Sequence, residues 1–259
     1  MKNLFKLFSI IIFIITSNSY SFAAEKLEYL KTDWSFKGLF GKFDRASLQR
    51  GYQVYTEVCA SCHSMKYLSY RNLAEPGGPE FSEVQAKAIA ASFEVTDGPN
   101  SDGEMYTRPG KLSDKFVMPY DNVEAAKAAN GGAYPPDMSV LVKARKGGAD
   151  YIYSLLLGYE DPPSDINLDD GVYYNKFMYG NKIKMPVPLS DGLVEYNDGT
   201  VATEEQMAKD VTSFLMWSAE PHLETRHKTG FRVIIYLIIL TILVYMTRKK
   251  IWSRIETKV

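Results

Sequence analysis

Cysteine and histidine are scarce in this 259-residue chain, which has two of the first and three of the second. Two cysteines are too few for a disulfide-linked scaffold. Long apolar runs are also scarce: only two are present, one near each end, which excludes a polytopic membrane protein. A composition of 46% hydrophobic and 24% charged residues excludes a disordered acidic chain and a collagen-like repeat.

The first apolar run predicts export. Lys2 and Lys6 precede an apolar stretch at 7–16, and small residues at 21–24 offer a cleavage site. This order is typical of a signal peptide covering residues 1–24. The run is shorter than the ~20 residues that a membrane span needs, which argues against an uncleaved anchor. It contains no arginine, which argues against a mitochondrial transit peptide and favours a bacterial protein.

The second apolar run, residues 231–247, predicts a transmembrane helix. The basic tail at 248–259 follows it at once. Because basic flanks stay in the cytoplasm, we expect a single-pass protein of the bacterial inner membrane with the body, residues 25–230, in the periplasm. The alternative is a buried core helix. The export signal and the basic tail agree on one topology, which favours the span.

The chain looks neutral, with a net charge of −1, but its charge is unevenly distributed. The exported body has 22 basic and 30 acidic residues, a net charge of −8. Such a field repels nucleic acid and attracts basic partners.

The pattern of apolar residues predicts a mainly α-helical class with long loops. The regions 73–134 and 161–188 are mostly irregular, and turn signals suggest a hairpin at 191–199. Thr203 and Gln206 form a candidate capping box for the last soluble helix. Helices are predicted at 46–58, 82–93, 123–129, from Pro136 to Gly147, 149–157, and from Thr203 to about Trp217.

The decisive motif is Cys59-Ala60-Ser61-Cys62-His63, the attachment signature of a c-type haem. Two thiols one turn apart can form thioethers with one haem, and the adjacent imidazole can bind the iron. A thioredoxin-like redox pair would need a βαβ pattern, and none is visible. A structural zinc site needs four ligands, but the other histidines lie beside the second apolar run. A strained disulfide is the remaining alternative.

A second axial ligand is expected among the methionines. Met185 stands out because Pro186 and Pro188 would stiffen its loop. From spacing alone, Met118 and Met138 remain rivals. Arg145 is a candidate partner for a haem propionate if it points inward from its predicted helix, and a solvated arginine is the alternative.

Several blocks in order resemble the cytochrome c1 family, and the resemblance covers most of the chain after the export signal. The blocks include Trp34-Ser35-Phe36-Lys37-Gly38, the haem motif with the helix before it, Asn130-Gly131-Gly132-Ala133-Tyr134-Pro135-Pro136-Asp137, Ala144-Arg145-Lys146-Gly147-Gly148 and Phe214-Leu215-Met216-Trp217-Ser218-Ala219-Glu220-Pro221. The resemblance implies a cytochrome c-like haem domain with long loop insertions, plus one C-terminal transmembrane helix.

The resemblance also implies residue roles. His63 and Met185 would be the two iron ligands of one covalent haem c, and Arg145 and Tyr151 would face a propionate. Asn130, Ala133, Pro135 and Pro136 would line the pocket. Lys182 and Lys184 depart from the pattern, because relatives often have apolar residues just before the ligand.

The resemblance further implies a redox subunit of ubiquinol–cytochrome c oxidoreductase, which is not an enzyme on its own. It would pass electrons from the Rieske iron–sulfur protein to cytochrome c, with its span beside cytochrome b in the bilayer and the complex dimeric. Two acidic clusters are candidate docking sites or merely solvated loops: the 94–104 cluster (Glu94, Asp97, Asp102, Glu104) and the 160–170 cluster (Glu160, Asp161, Asp165, Asp169, Asp170). Alternatives are an independent membrane-anchored cytochrome c and a thiol oxidoreductase using Cys59 and Cys62.

Overall fold

The computed structural model describes residues 27–256, with side chains up to position 253. The predicted signal peptide therefore lies outside the described residues. The described part is mainly helical, as the sequence predicts, with two small antiparallel sheets. Its elements are α1 (Arg45–Glu57), α2 (Glu83–Ala91), β1 (Glu94–Asp97), β2 (Tyr106–Pro109), α3 (Val123–Ala129), α4 (Ala149–Leu156), β3 (Tyr173–Tyr174), β4 (Lys182–Ile183), α5 (Glu204–Ala219) and α6 (Leu223–Glu256), with 3₁₀ turns at Cys59–Ser61 and Tyr70–Ala74.

The centre of the domain is the crossing of α1 and α5. A Cβ on Gly51 would lie only 2.1 Å from the carbonyl oxygen of Asp210, so the two backbones meet at a point that only glycine permits. Large apolar side chains pack around this point, as their spacing predicts, and all are buried: Leu48, Tyr52, Tyr55, Met207, Val211, Phe214 and Leu215. Because α1 runs into the haem motif, this crossing sets the motif's position.

A buried carboxylate joins the same two helices. Asp210 is fully buried and accepts hydrogen bonds from Ser47 Oγ (2.7 Å) and Arg50 Nε (2.7 Å). Arg50 Nη2, at 3.1 Å, and Gln206 Nε2, at 2.9 Å, donate to it as well. Thr203 Oγ1 caps α5 by accepting from the Gln206 amide, so the cap is present. The Gln206 side chain serves the buried Asp210 instead of closing the predicted box.

The segment before α1 is fastened to α4. Trp34 is buried, and its Nε1 donates to Asp150 Oδ1 at 2.6 Å. Lys31 and Lys37 also donate to this carboxylate. Burial alone would raise the pKa of Asp150, but these donors outweigh it and the pKa lies below its ordinary value. The contact holds the start of α4, and with it Tyr151, against the domain.

Two predicted local structures are wrong, and two short hairpins were not predicted. Residues 139–146 form turns and a bend and not a helix, because Met138 donates its amide to the Ser64 carbonyl and Ser218 Oγ donates to the Ser139 carbonyl. These distant contacts compete with i to i+4 bonding. The region 191–199 contains turns without strands. Hairpins form instead within the two regions predicted as irregular, pairing Glu94 with Pro109 and Tyr173 with Ile183.

The last helix, α6, encloses the predicted span and is the one described helix long and apolar enough to cross a membrane. None of its apolar window is buried against the rest of the protein, which removes the core-helix alternative. Ion pairs connect the domain to the start of α6, and we call this junction the neck. Glu220 accepts from Lys143 and Arg226, and Glu224 accepts from Arg45 at 2.8 Å. Burial would raise the pKa of Glu220, but its two cations outweigh burial and lower it.

Candidate functional site

The Cys59–His63 motif is folded by its own backbone. Helix α1 ends at Glu57, and a 3₁₀ turn follows over Cys59–Ser61. The amides of Cys62 and His63 both donate to the Cys59 carbonyl, at 3.1 and 2.8 Å. These bonds hold two sulfurs and one imidazole on a single tight turn, which is the arrangement that the spacing predicts.

His63 is oriented by a distant loop. Its Nδ1 lies 2.8 Å from the carbonyl oxygen of Pro136, and since a carbonyl can only accept, Nδ1 carries the proton. The lone pair is therefore on Nε2, where it can bind a metal. Burial lowers the pKa of this imidazole, opposed by the Pro136 carbonyl and by Asp137.

The loop at 130–137 wraps around the motif. Asp137 accepts hydrogen bonds from Ser64 Oγ at 2.8 Å and from the Lys66 amide at 2.9 Å. Pro135 is half-buried, and Pro136 exposes its ring while its carbonyl holds His63. Of the four residues that the resemblance assigns to the pocket, Pro136 is thus brought into direct contact with a predicted iron ligand.

The other end of this loop reaches the second cysteine. Asn130 Nδ2 donates to the Tyr120 hydroxyl at 3.0 Å, and that hydroxyl lies 4.0 Å from Cys62 Sγ. Ala133, which is half-buried, donates its amide to the Asn130 carbonyl and closes the turn. Tyr120 was missed by the sequence analysis, since nothing around it carries a motif.

Met185 follows the short strand β4 and is half-buried. Tyr159 donates its hydroxyl to the Met185 carbonyl at 3.1 Å, and burial raises the pKa of that hydroxyl. Lys184 Nζ donates to the Gly131 carbonyl at 3.0 Å. The Met185 segment is therefore tied to the same 130–137 loop that orients His63. Lys184, noted as a departure from the family pattern, is one of the ties.

The two rival methionines lie in different surroundings. Met138 is 7% exposed and belongs to the apolar core, whereas Met118 is 51% exposed. A ligand needs a sulfur that is both held and accessible from the pocket. Met185 is half-buried, between these two extremes, and stays the predicted ligand.

Arg145 and Tyr151, which the resemblance assigns to a propionate, lie together. Burial raises the pKa of Tyr151, and the charge and hydrogen bonding of Arg145 oppose the shift. The Tyr151 hydroxyl lies 3.6 Å from Met178 Sδ. Arg145 itself is exposed, and its guanidinium donates to the Ala144 carbonyl at 3.3 Å. It thus follows a chain of turns and does not point inward from a helix.

The competing zinc and thiol hypotheses find little support. Within 27–256, no group of three or more His, Cys, Asp or Glu side chains could hold a metal ion. The two cysteines are free. Burial, with a smaller contribution from Cys62, raises the pKa of Cys59 to about 12, whereas reactive redox cysteines have lowered values.

The comparisons with known proteins identify the family of the chain. The model of the cytochrome C1 family matches residues 34–255. The chain is 49% identical to the mitochondrial "Cytochrome c1 2, heme protein" of Arabidopsis thaliana over 91% of its own length and 76% of that protein. The chain belongs to the cytochrome c1 family. The resemblance drawn from the sequence blocks is thereby confirmed.

Two further relatives of this cytochrome c1 chain have informative names. It is 50% identical to "Cytochrome b/c1" of Bradyrhizobium diazoefficiens, over 85% of this chain and 35% of that longer protein. It is 44% identical to the "Cytochrome b-c1 complex catalytic subunit, mitochondrial" of Candida albicans, over 94% and 84%. Family membership implies a haem cofactor and an electron-transfer role.

The residues present fit a haem. The motif offers two thiols and an imidazole whose Nε2 is free, and Met185 offers a soft thioether. A c-type haem needs these donors and no acidic ligand. The sequence analysis missed the residues that hold the donors in place, Tyr120 and Tyr159, because their role depends on contacts far apart in the chain.

Proposed function

We propose that this cytochrome c1 chain carries one covalent haem c and passes electrons from a Rieske iron–sulfur protein to a cytochrome c, as a subunit of a quinol–cytochrome c oxidoreductase. The observation that carries the proposal is the His63–Pro136 hydrogen bond of 2.8 Å within a Cys-x-x-Cys-His turn. It fixes the imidazole tautomer that iron ligation needs. The chain makes and breaks no substrate bond, so it is a redox subunit and not an enzyme on its own.

The residues have separate tasks in this proposal. Cys59 and Cys62 would attach the haem, and His63 and Met185 would bind its iron. When bound, the haem supplies a one-electron carrier whose potential depends on ligand identity, burial and nearby charge. Asn130, Ala133, Pro135 and Pro136 would line the pocket, as the family resemblance implies.

Arg145 and Tyr151 are proposed to face a propionate. Their proximity supports this role, because a guanidinium and a phenol hydroxyl side by side can both donate to a carboxylate. The exposure of Arg145 does not oppose it, since a propionate carboxylate prefers a polar edge of the pocket.

The proposed topology is a single-pass anchor in a bacterial inner membrane. Residues 1–24 would be removed on export, residues 25–230 would form the periplasmic domain, residues 231–247 would cross the bilayer and 248–259 would stay in the cytoplasm. The exposed apolar helix α6 and the basic residues that follow its apolar stretch support this orientation.

Cytochrome b is the proposed neighbour of the anchor, and a dimeric complex is the proposed assembly. The name of the Bradyrhizobium relative joins the two cytochromes in one longer protein, of which this chain matches 35%. Two proteins that are fused in one organism are expected to contact each other as separate chains in another. An apolar helix with no cover from its own domain also needs lipid or protein around it.

A basic cytochrome c is the proposed electron acceptor, and the 160–170 cluster is its proposed docking site. The cluster is exposed and begins directly after Tyr159, which holds Met185. Lys182 Nζ also donates to the Asn167 carbonyl, at 2.7 Å, which keeps the cluster beside the ligand loop. Each cluster contains one paired carboxylate, Glu160 with Lys176 at 3.1 Å and Asp97 with Arg108, and the other acidic residues of the 160–170 cluster lie closer in the chain to the Met185 loop. Electrostatic steering requires acidic groups that remain available.

The first test is a pyridine haemochrome assay with a mass measurement of the purified full chain. We expect a c-type spectrum and a mass increase equal to one haem. A colourless protein with the mass of its polypeptide alone would contradict the proposal and favour a thiol oxidoreductase.

The second test is mild solubilisation and purification of the membrane complex. Co-purification with a di-haem cytochrome b and an iron–sulfur protein is expected. Isolation of a haem-loaded chain as a lone carrier would instead favour an independent membrane-anchored cytochrome c.

A further inference from the structure

An apolar groove lies between the neck and the loop before α1. It has a volume of about 210 Å³, and its apolar lining includes Leu39, Phe40 and Phe231. The rings of Phe40 and Phe231 are 5.8 Å apart in an edge-to-face arrangement. His227 Nδ1 lies 3.3 Å from the Gly41 carbonyl oxygen and holds the loop against the helix. The groove therefore opens at the level where the apolar run of α6 begins.

The loop presents its apolar side chains outward. Leu39 is 82% exposed and Phe40 is 72% exposed. Large apolar groups that project together from a protein surface mark a contact with a partner or a membrane. Because they lie beside Phe231, the first residue of the apolar run, the bilayer interface is the environment that they reach.

The groove also has a cationic rim. Lys42, Lys228 and Arg232 line it and are exposed. The acidic lining residue, Glu224, accepts from Arg45 and from the Phe43 amide, so its charge is already compensated. Three cations surround an apolar floor at the height of the lipid headgroups.

We infer that this groove binds one anionic phospholipid of the leaflet next to the haem domain. A phosphate group matches the cations, and an acyl chain matches the apolar floor. A zwitterionic lipid brings a cationic headgroup that the same rim repels. A helix from another subunit would have to supply compensating acidic groups for all three cations, since buried unpaired charges are costly. The inference depends on α6 crossing the membrane and does not depend on the haem ligands.

The first test uses the full chain and native mass spectrometry. Detergent-solubilised protein is titrated with phosphatidylglycerol against phosphatidylcholine, and the retained lipid is counted. The test variant is Lys42→Gln/Lys228→Gln/Arg232→Gln. The matched control is Lys87→Gln/Lys111→Gln/Lys127→Gln, which removes three positive charges that do not line the groove.

We expect wild type and control to retain phosphatidylglycerol at least tenfold better than phosphatidylcholine. The test variant should lose this preference, since each cation near a lipid surface contributes roughly fivefold in affinity. Equal retention of the two lipids by wild type, or an unchanged preference in the test variant, would overturn the inference.

A second experiment locates the lipid. A photoreactive benzoylphenylalanine replaces Phe40, or replaces Val84, which is 77% exposed on α2 and serves as the control. Irradiation in vesicles of phosphatidylcholine with phosphatidylglycerol should add the mass of phosphatidylglycerol at position 40 and no lipid at position 84. Crosslinking at position 40 only to a protein, only to phosphatidylcholine, or to nothing would count against the site.

Discussion

The two sides of the candidate haem site are built differently. On the His63 side, the turn follows directly from α1, and both amide bonds end on Cys59, three and four residues away. On the Met185 side, the supports come from Tyr159, 26 residues away, and from Lys184, which reaches a carbonyl 53 residues away. The turn of the first side is folded by local backbone bonds, and the Pro136 carbonyl, 73 residues away, then orients its imidazole. The second side has no such local turn and is held by long-range contacts.

This difference predicts how substitutions on each side of the site should act. A motif whose turn follows directly from a helix loses its geometry as a whole when that helix is displaced. A ligand on a loop supported by single side-chain bonds can loosen by degrees. Changes on the His63 side should therefore affect assembly, and changes on the Met185 side should affect potential.

The largest effect is expected for Gly51→Ala, which pushes α1 away from α5. The new Cβ would lie 2.1 Å from the Asp210 carbonyl, a clash with backbone that cannot rotate away. We expect a loss of at least about 3 kcal/mol of folding free energy and a sharp fall in covalent haem per chain.

Chemical unfolding and haem quantification measure the effect of Gly51→Ala. The control is Gly230→Ala, a helical glycine with nothing within 4 Å of the new Cβ. It should leave stability unchanged or raise it slightly. If Gly51→Ala folds and loads haem like wild type, the crossing does not set the position of the motif.

The next effect is expected for Met185→Ala. The haem should stay attached through the cysteines, but its midpoint potential should fall by on the order of 0.1–0.3 V, within the roughly 0.8 V that axial ligands span. Redox titration of the purified protein measures the change. Met138→Leu and Met118→Leu are the controls for the two rivals, and a fall confined to either of them would assign the ligand there.

A smaller effect is expected for Tyr159→Phe, which removes the hydrogen bond to the Met185 carbonyl. Such a bond contributes about 1 kcal/mol, so the potential should fall by on the order of 10–40 mV. The control is Tyr173→Phe, on strand β3 of the hairpin that precedes Met185 and 39% exposed. An equal shift in both variants, or a shift accompanied by a matching loss of global stability, would mean that Tyr159 acts on the fold and not on the ligand.

The smallest effect at physiological salt is expected for docking, because ions screen it, and it compares the two acidic clusters. Neutralising the 160–170 cluster should slow electron transfer to a basic cytochrome c about tenfold at low salt and flatten its dependence on ionic strength. Stopped-flow kinetics at several salt concentrations measure both. Glu94→Gln/Asp102→Asn/Glu104→Gln should change neither. Equal slowing by both sets of substitutions would remove the special role of the 160–170 cluster.

The sequence predicts those parts of the molecule whose signals are local. Apolar spacing and caps place α1, α3, α4 and α5 within a few residues, and the Cys59–His63 turn needs only its own residues. The hairpin β3–β4 was not predicted, because strands of two residues are too short to show an alternation of apolar and polar residues. A helix was wrongly predicted at 137–146 because the apolar spacing there is helical. In the structure, Ser64 and Ser218, which are distant in sequence, form hydrogen bonds with the backbone of this region.

The residues that hold the site in place were not predicted, for a related reason. Tyr120 and Tyr159 resemble any of the 18 tyrosines of the chain until the fold brings them to Cys62 and Met185. A single-sequence pattern contains residue types and spacings but no distances across loops. The family resemblance assigned Met185 and Asn130 to the site, but it did not identify the side chains that hold them in place.

The shared carboxylate of Glu220 has a mechanical consequence. Lys143 lies in the turns that follow the 130–137 loop, and Arg226 lies in α6. Both form ion pairs with the Glu220 carboxylate. Tilting the anchor against the domain would pull these charges apart. We therefore expect the domain and α6 to tilt together, which would hold the haem edge of the proposed electron carrier at a constant height above the lipid.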